Sequence, residues 1–265
     1  MLNESRCFLV MPCAGSGLRA GGDVAKQYQM LQGLPLVVRS LQSLSRVSSV
    51  KNAVLVVSPE DRKAQELMQA YGCASWFDHF SVLAQGGATR MESVLAGVRS
   101  LADLGAQEHD WVLVHDAARC LVQAPWVEQL IREVGDDAVG GILAWPLSDT
   151  LKQARPCNPI AGDTAVPNER IVATVPRAHK WLAQTPQMFR LGALRQALER
   201  ALQEMQRPKA GQGAGLEPLV TDEASALEAM GLSPLLVQAS ALNIKITYAE
   251  DFVLAQALLG VLGDV

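Results

Sequence analysis

A mostly parallel α/β sheet flanked by helices is the architecture this chain predicts, and three observations carry that reading. Short apolar runs rich in β-branched residues alternate with longer amphipathic stretches, which is the signature of successive βαβ units. Such units cross over right-handedly and put their strands in parallel. Polar segments follow two of the strands at the ends where sheets of this kind bind ligands.

The strand segments are 8–11, 53–57, 111–114 and 139–144, each short enough and apolar enough to be buried on both faces. Helices are expected at 34–44, 59–71, 89–104 and 124–134. Pro59 suits the first turn of its helix, with Ser58 as the N-cap. Residues 151–175 break the rhythm, with Pro156, Pro159, Pro167 and Gly162 and few apolar residues before Ile171. We read this stretch as a hairpin-like arm leaving the domain, although a plain surface loop fits the same composition. The segment 206–218 reads as a loop, and helices return at 221–230 and 249–259. Thr221 is the expected cap of the first, without a capping box because the acid at Glu223 falls one position early. Residues 243–247 alternate like an edge strand, with Lys245 out of phase with the apolar face.

Composition narrows the function classes. With 265 residues the chain can bury one large core. Its 49% hydrophobic and 19% charged content excludes a disordered protein. A formal net charge of −4 offers no global attraction to nucleic acid or an acidic membrane. The N-terminal residues lack the apolar core of a signal peptide and there is no spanning segment, so the expected compartment is the cytoplasm. Five scattered cysteines without a CxxC pair point to reduced thiols, and four histidines without ligand spacing argue against structural zinc.

Chemistry concentrates at a few places. After the first strand come Pro12-Cys13-Ala14-Gly15-Ser16-Gly17-Leu18-Arg19 and then Lys26. Small residues let backbone N–H groups approach phosphate oxygens, and the two cations offset remaining negative charge. The glycines lack the GxGxxG spacing of a dinucleotide fold, which argues against an oxidoreductase. Asp116 and Arg119 follow the strand at 111–114, an acid and a cation suited to a phosphorylated substrate near a nucleotide. His115 sits at the end of that strand, where burial and hydrogen bonding explain it better than catalysis. The pair Gly86-Gly87 precedes a helix, with Thr89 as a cap and Arg90 in solvent the simpler reading. Thr185-Pro186-Gln187 reads as a polar turn.

In chain order the motifs PCAGSGLR, AKQY, GGATRMESV, VLVHDAAR, DTLK, TPQMF, TDEASALE and NIKIT resemble those of the 2-C-methyl-D-erythritol 4-phosphate cytidylyltransferases, from Val10 to about Glu250. The resemblance implies one Rossmann-like nucleotidyltransferase domain over the chain, with a β-arm at about 148–178 that interlocks two subunits. It implies transfer from CTP to methylerythritol phosphate, with pyrophosphate released and Mg²⁺ carried by the CTP phosphates rather than by protein ligands. Ala14, Gly15, Gly17, Gly87, Ser93, Asp116 and Ala117 would surround the nucleotide, while Arg19, Lys26 and Lys245 would serve catalysis. Arg119 and Thr221 would bind the polyol phosphate, joined by Thr150 and Arg177 of the partner subunit. The chain departs from the family pattern at Ala20, Ala25, Ala88 and Cys120. Two alternatives stay open: a ribitol 5-phosphate cytidylyltransferase and a non-catalytic nucleotide-binding homologue.

Overall fold

A computed structural model describes residues 6–15, 25–156, 169–206 and 220–262. Gly17, Arg19 and Ala20 lie outside the described residues, as do the centre of the expected arm at 157–168 and most of the expected loop, 207–219.

The chain opens with β1 (Cys7–Pro12), a short pair β2 (Met30–Leu31) and β3 (Leu34–Pro35), and helix α1 (Leu36–Ser45). Then follow β4 (Val50–Val56), α2 (Lys63–Ala70), β5 (His79–Leu83) and α3 (Arg90–Ser100). Next come β6 (Trp111–Val114), α4 (Ala124–Val134) and β7 (Gly140–Pro146). A hairpin of β8 (Leu151–Pro156) and β9 (Glu169–Val175) leads to β10 (Trp181–Arg190) and α5 (Leu191–Gln206). The chain closes with α6 (Glu223–Glu228), β11 (Leu235–Gln238) and α7 (Ala249–Leu262).

Seven strands form the central sheet in the order β11-β7-β10-β6-β1-β4-β5. All pairings are parallel except those of β10, which runs against both β6 and β7. Successive side chains of β1 point to opposite faces, so Leu9 and Met11 enter one core while Phe8 and Val10 enter the other. The first core is covered by α1, α2 and α4, the second by α3, α5 and α6. A small third cluster joins Cys120, Leu121 and Ile246 to Ala255 and Leu259 of α7. That cluster holds the 243–247 segment against the loop after β6. No described helix is long and apolar enough to cross a membrane.

Several expectations need correction. Helix α2 starts at Lys63, not Pro59, because Ser58 Oγ bonds the Glu60 carboxylate while Asp61 Oδ1 accepts from the Lys63 and Ala64 N–H groups, both at 3.0 Å. The cap of α6 is Asp222, not Thr221, and its capping box is closed by Ser225 instead of an acid. Thr185-Pro186-Gln187 lies inside β10; the ladder to β7 skips from Ala183 to Gln187, as a proline without an N–H requires of its neighbourhood. Residues 243–247 form no strand; Ile246 N–H donates to Ala118 O at 2.9 Å in the loop after β6, and Asn243 Nδ2 reaches β10 at Gln184 Oε1 and Thr185 O. Strands β5 and β11 and the long helix α5 have no counterpart in the sequence reading. Within the stretch 151–175, the described strands β8 and β9 pair antiparallel, from Leu151↔Val175 to Pro156↔Glu169.

His115, fully buried at the end of β6, ties β10 in place. The Asp116 N–H donates to Thr185 Oγ1 at 3.1 Å, so the Thr185 hydroxyl proton is free to reach His115 Nδ1, also at 3.1 Å. The ring proton then sits on Nε2 and faces Arg119 O at 3.3 Å. Burial is the main reason its pKa falls from 6.5 to about 4; Asp116 opposes the shift and Arg119 favours it. A folded pKa below the unfolded one means stability present in full above pH 6.5 and lost as pH falls towards 4. The loss amounts to about 3 kcal/mol. Urea titrations across this window should show that decline in the native chain and a shallower one in His115→Gln.

Candidate active site

The loops at the carboxyl ends of β1, β5 and β6 enclose a cavity of about 560 Å³. Cys13, Ala14 and Gly15 form one wall, and Gly87, Ala88, Thr89 and Ser93 form another. The loops touch closely. A Cβ on Gly86 would strike the Ala14 methyl and come within 2.8 Å of Val57 O, which is why glycine stands there. Helix α3 begins at this wall with a full capping box, Thr89 accepting from Glu92 N and Glu92 from Thr89 N. Ser93 Oγ donates to Thr89 O at 3.0 Å and accepts the Gly87 N–H at 3.1 Å, fixing the glycine loop.

Asp116 faces this cavity with Ala117 and Ala118 beside it. Its Oδ1 accepts from Arg90 Nε at 2.8 Å and its Oδ2 from Lys245 Nζ at 2.7 Å. Arg90 is therefore not a solvated cation, as the simpler reading had it. Its two Nη groups also clasp Glu223, at 2.6 and 3.0 Å, the fork geometry that suits guanidinium to carboxylate. Burial alone would raise the Asp116 pKa, but Arg90 and then Lys245 outweigh it and hold the carboxyl below the usual carboxylate range. Burial raises that of Glu223, against the opposing pull of Arg90.

Lys26 lines the same cavity, and its Nζ donates to Ile246 O at 2.7 Å, beside Lys245. Gln27, its neighbour, is buried and donates to Cys13 O at 2.9 Å. Ala25 has φ −51° and ψ 135°, angles that a proline also adopts. Ala88 places a methyl on the cavity wall. Cys120 is fully buried in the third cluster, away from the cavity lining.

The structure thus brings Ala14, Gly15, Lys26, Gly87, Ser93, Asp116, Ala117 and Lys245 around one cavity. Arg119 lies just behind, its guanidinium bonded to Asn243 O at 2.6 Å and Ala183 O at 3.0 Å, so it anchors the Lys245 segment. Thr221 borders a second cavity of about 300 Å³ with Met91, Leu198, Met205 and Glu223. Thr150 and Arg177 stand at the root of the arm, where Arg177 bonds Ser148 O. Sequence reasoning missed the Arg90–Glu223 pair. A partial signal existed for Glu223 alone, which stands three and four residues before Ala226 and Leu227 on one helix face, and none marked Arg90 as its partner.

Residues 7–261 match the family model described as 2-C-methyl-D-erythritol 4-phosphate cytidylyltransferase. A protein of that name from Cupriavidus pinatubonensis is 46% identical over 264 residues, covering 97% of this chain and 95% of its own. A "Bifunctional enzyme IspD/IspF" from Albidiferax ferrireducens is 47% identical over 256 residues, covering 96% of this chain. The chain spans about half the length of that relative, 53%. Among solved structures, a 4-diphosphocytidyl-2C-methyl-D-erythritol synthase matches with TM-score 0.74 at 35% identity, covering 97% of this chain and 99% of its own. The Francisella tularensis 2-C-methyl-D-erythritol 4-phosphate cytidylyltransferase matches with TM-score 0.71 at 29% identity, covering 96% and 99%. Fold, cavity and sequence agree that the chain belongs to the 2-C-methyl-D-erythritol 4-phosphate cytidylyltransferase family of nucleotidyltransferase enzymes.

Proposed function

We propose that the cavity joins CTP and 2-C-methyl-D-erythritol 4-phosphate to give the cytidine diphosphate alcohol and pyrophosphate, a step of non-mevalonate isoprenoid synthesis. The observation that carries this reading is the convergence of Lys26, Lys245 and Asp116 on the glycine-walled cavity at the carboxyl edge of the sheet. The substrate phosphate has a second pKa of about 6 and is largely dianionic at neutral pH, so it attacks without a protein base. Its oxygen forms a bond to the α-phosphorus as the bond to the β-phosphate oxygen breaks, and the electron pair leaves with pyrophosphate. What the protein supplies is alignment and positive charge.

In this reading Ala14, Gly15, Gly17, Gly87, Ser93 and Ala117 hold the nucleotide, and Asp116 stands on its ribose or metal side. Arg19 and Lys26 neutralise the triphosphate and Lys245 draws the two phosphates together. Arg119 and Thr221 serve the polyol phosphate, in Arg119's case by holding the segment that bears Lys245. Among the described residues lining the cavity, Asp116 is the one carboxylate, and both its oxygens are already bonded to cations. That donor set fits a Mg²⁺ held mainly by CTP phosphate oxygens and water, an ion that supplies further charge neutralisation on the triphosphate when bound.

The arm is proposed to pair two copies of the chain, so that Thr150 and Arg177 of one complete the polyol site of the other. Exposed Leu151, Ile171 and Val172 on the hairpin support this, since apolar side chains at such density mark an interface. The buried thiols of Cys7, Cys13, Cys73 and Cys120 support a reducing compartment, the cytoplasm.

Pyrophosphate release with CTP and Mg²⁺ should be fast on methylerythritol phosphate and slow on ribitol 5-phosphate. The reverse preference would transfer the assignment to ribitol, and CTP binding without release on either would leave a binding module. Lys26→Ala should lose on the order of 10²–10³ in turnover, as loss of one transition-state donor does, with an unchanged circular dichroism spectrum. Near-native turnover would remove the lysine from the mechanism. Light scattering should find a dimer for the native chain and a monomer for Ile171→Asp, a charge set in place of the most exposed of these apolar side chains.

A further inference from the structure

The geometry points to Glu223 as a positioning residue for nucleotidyl transfer, acting through Arg90 on Asp116 and so on Lys245. This rests on the reaction proposed above and goes beyond it, because Glu223 is absent from the lining of the catalytic cavity.

Four charged groups stand in a row from the second core to the cavity: Glu223, Arg90, Asp116 and Lys245. They belong to four separate parts of the chain, the start of α6, the start of α3, the loop after β6 and the 243–247 segment. Glu223 is 1% exposed, and one neutral side chain, Gln187, holds the start of its helix with two hydrogen bonds. Gln187 in β10 donates to Asp222 Oδ2 and accepts the Ala224 N–H, both at 2.9 Å, bracketing Glu223 on either side. A buried carboxylate costs free energy unless paired, so this placement needs a reason.

The reason lies in what Arg90 would otherwise do. Its Nη groups are taken by Glu223, which leaves only Nε for Asp116 Oδ1 and leaves Oδ2 to Lys245. Without the Glu223 charge, the guanidinium fork is free to close on both oxygens of Asp116, the bidentate arrangement it prefers. Lys245 would then lose its partner and its fixed place beside Lys26. Glu223 thus keeps Arg90 turned away from the reacting phosphates and reserves half of Asp116 for the lysine.

The test compares Glu223→Gln and Glu223→Asp with the native chain in three measurements: kcat and KM for CTP, thermal midpoint, and acylation of Lys245 by acetic anhydride, with acetate as the leaving group, followed by peptide mass spectrometry. Glu223→Gln keeps the shape and removes the charge. It should lower kcat about 10- to 100-fold, the scale of a small misplacement of a reacting group. KM for CTP should stay within about threefold, and Lys245 labelling should rise several-fold. Glu223→Asp keeps the charge with a shorter reach and should fall between the other two in kcat and labelling. It carries the comparison by itself if the glutamine variant does not fold.

Unchanged Lys245 labelling overturns the assignment, as does a kcat within twofold of native or a loss that follows the thermal midpoint alone. If the native chain releases no pyrophosphate, the reaction reading fails, and the labelling comparison then decides the positioning role without any turnover.

Discussion

The carboxylate of Asp116 is the constraint around which the site is arranged. It stands at the end of a central strand with 8% of the residue exposed, so it persists as an anion only because cations meet it on both oxygens. One cation comes from α3 and the other from a segment more than a hundred residues downstream. Because one of those cations needs a second anion, the requirement propagates to α6. Removing one member of such a buried set typically costs 3–5 kcal/mol, since the remaining charges stay buried without partners. The set is therefore a weak source of net stability but a strong specifier of how two helix starts and two loop segments meet.

Neutral hydrogen bonds do the complementary work of fixing the frame. Thr185 bonds the loop after β6, and Gln187 bonds both ends of the first turn of α6. Asn243 Nδ2 donates to Gln184 Oε1 at 3.1 Å and to Thr185 O at 3.0 Å. All of these groups come from the antiparallel strand β10 or bond to it. Its direction explains why it can serve so many. The start of an antiparallel strand lies at the same edge of the sheet as the carboxyl ends of its parallel neighbours, so β10 threads through the site instead of ending at it.

The parts of this fold that were legible in the sequence are those where burial on both faces writes a continuous apolar run. Strands β1, β4, β6 and β7 are of this kind, and the helices between them follow from amphipathic spacing. Strand β5 and strand β11 sit at the two edges of the sheet, where exposed and buried residues mix and the run is lost. Strand β10 was misread because Thr185-Pro186-Gln187 has the composition of a turn; its polar residues are buried for hydrogen bonding, which no local pattern announces. Most of the cavity wall followed from motif order. The Arg90–Glu223 pair did not, because an arginine after a helix cap and an acid in a helical first turn each have an ordinary surface explanation. Only the tertiary structure brings the two side chains within hydrogen-bond distance.

The surroundings of His115 bear on where the proton chemistry of the reaction must lie. A histidine next to an aspartate that lines the cavity invites the role of general base, yet this one offers no lone pair to the cavity. Its Nδ1 faces the Thr185 hydroxyl and its Nε2 faces Arg119 O, so both nitrogens are engaged within the protein. The ring is fully buried, and its pKa near 4 makes it a poor proton acceptor at neutral pH. The only carboxylate lining the cavity among the described residues is held below the usual range by two cations, so it is a poorer acceptor still. A nucleophile that needed deprotonation at the moment of attack would find no partner among these groups. One that arrives already ionised needs none, and a phosphate monoester does so. The positive charge gathered at Lys26 and Lys245 is what such a nucleophile requires, because two anions must be brought within bonding distance of each other.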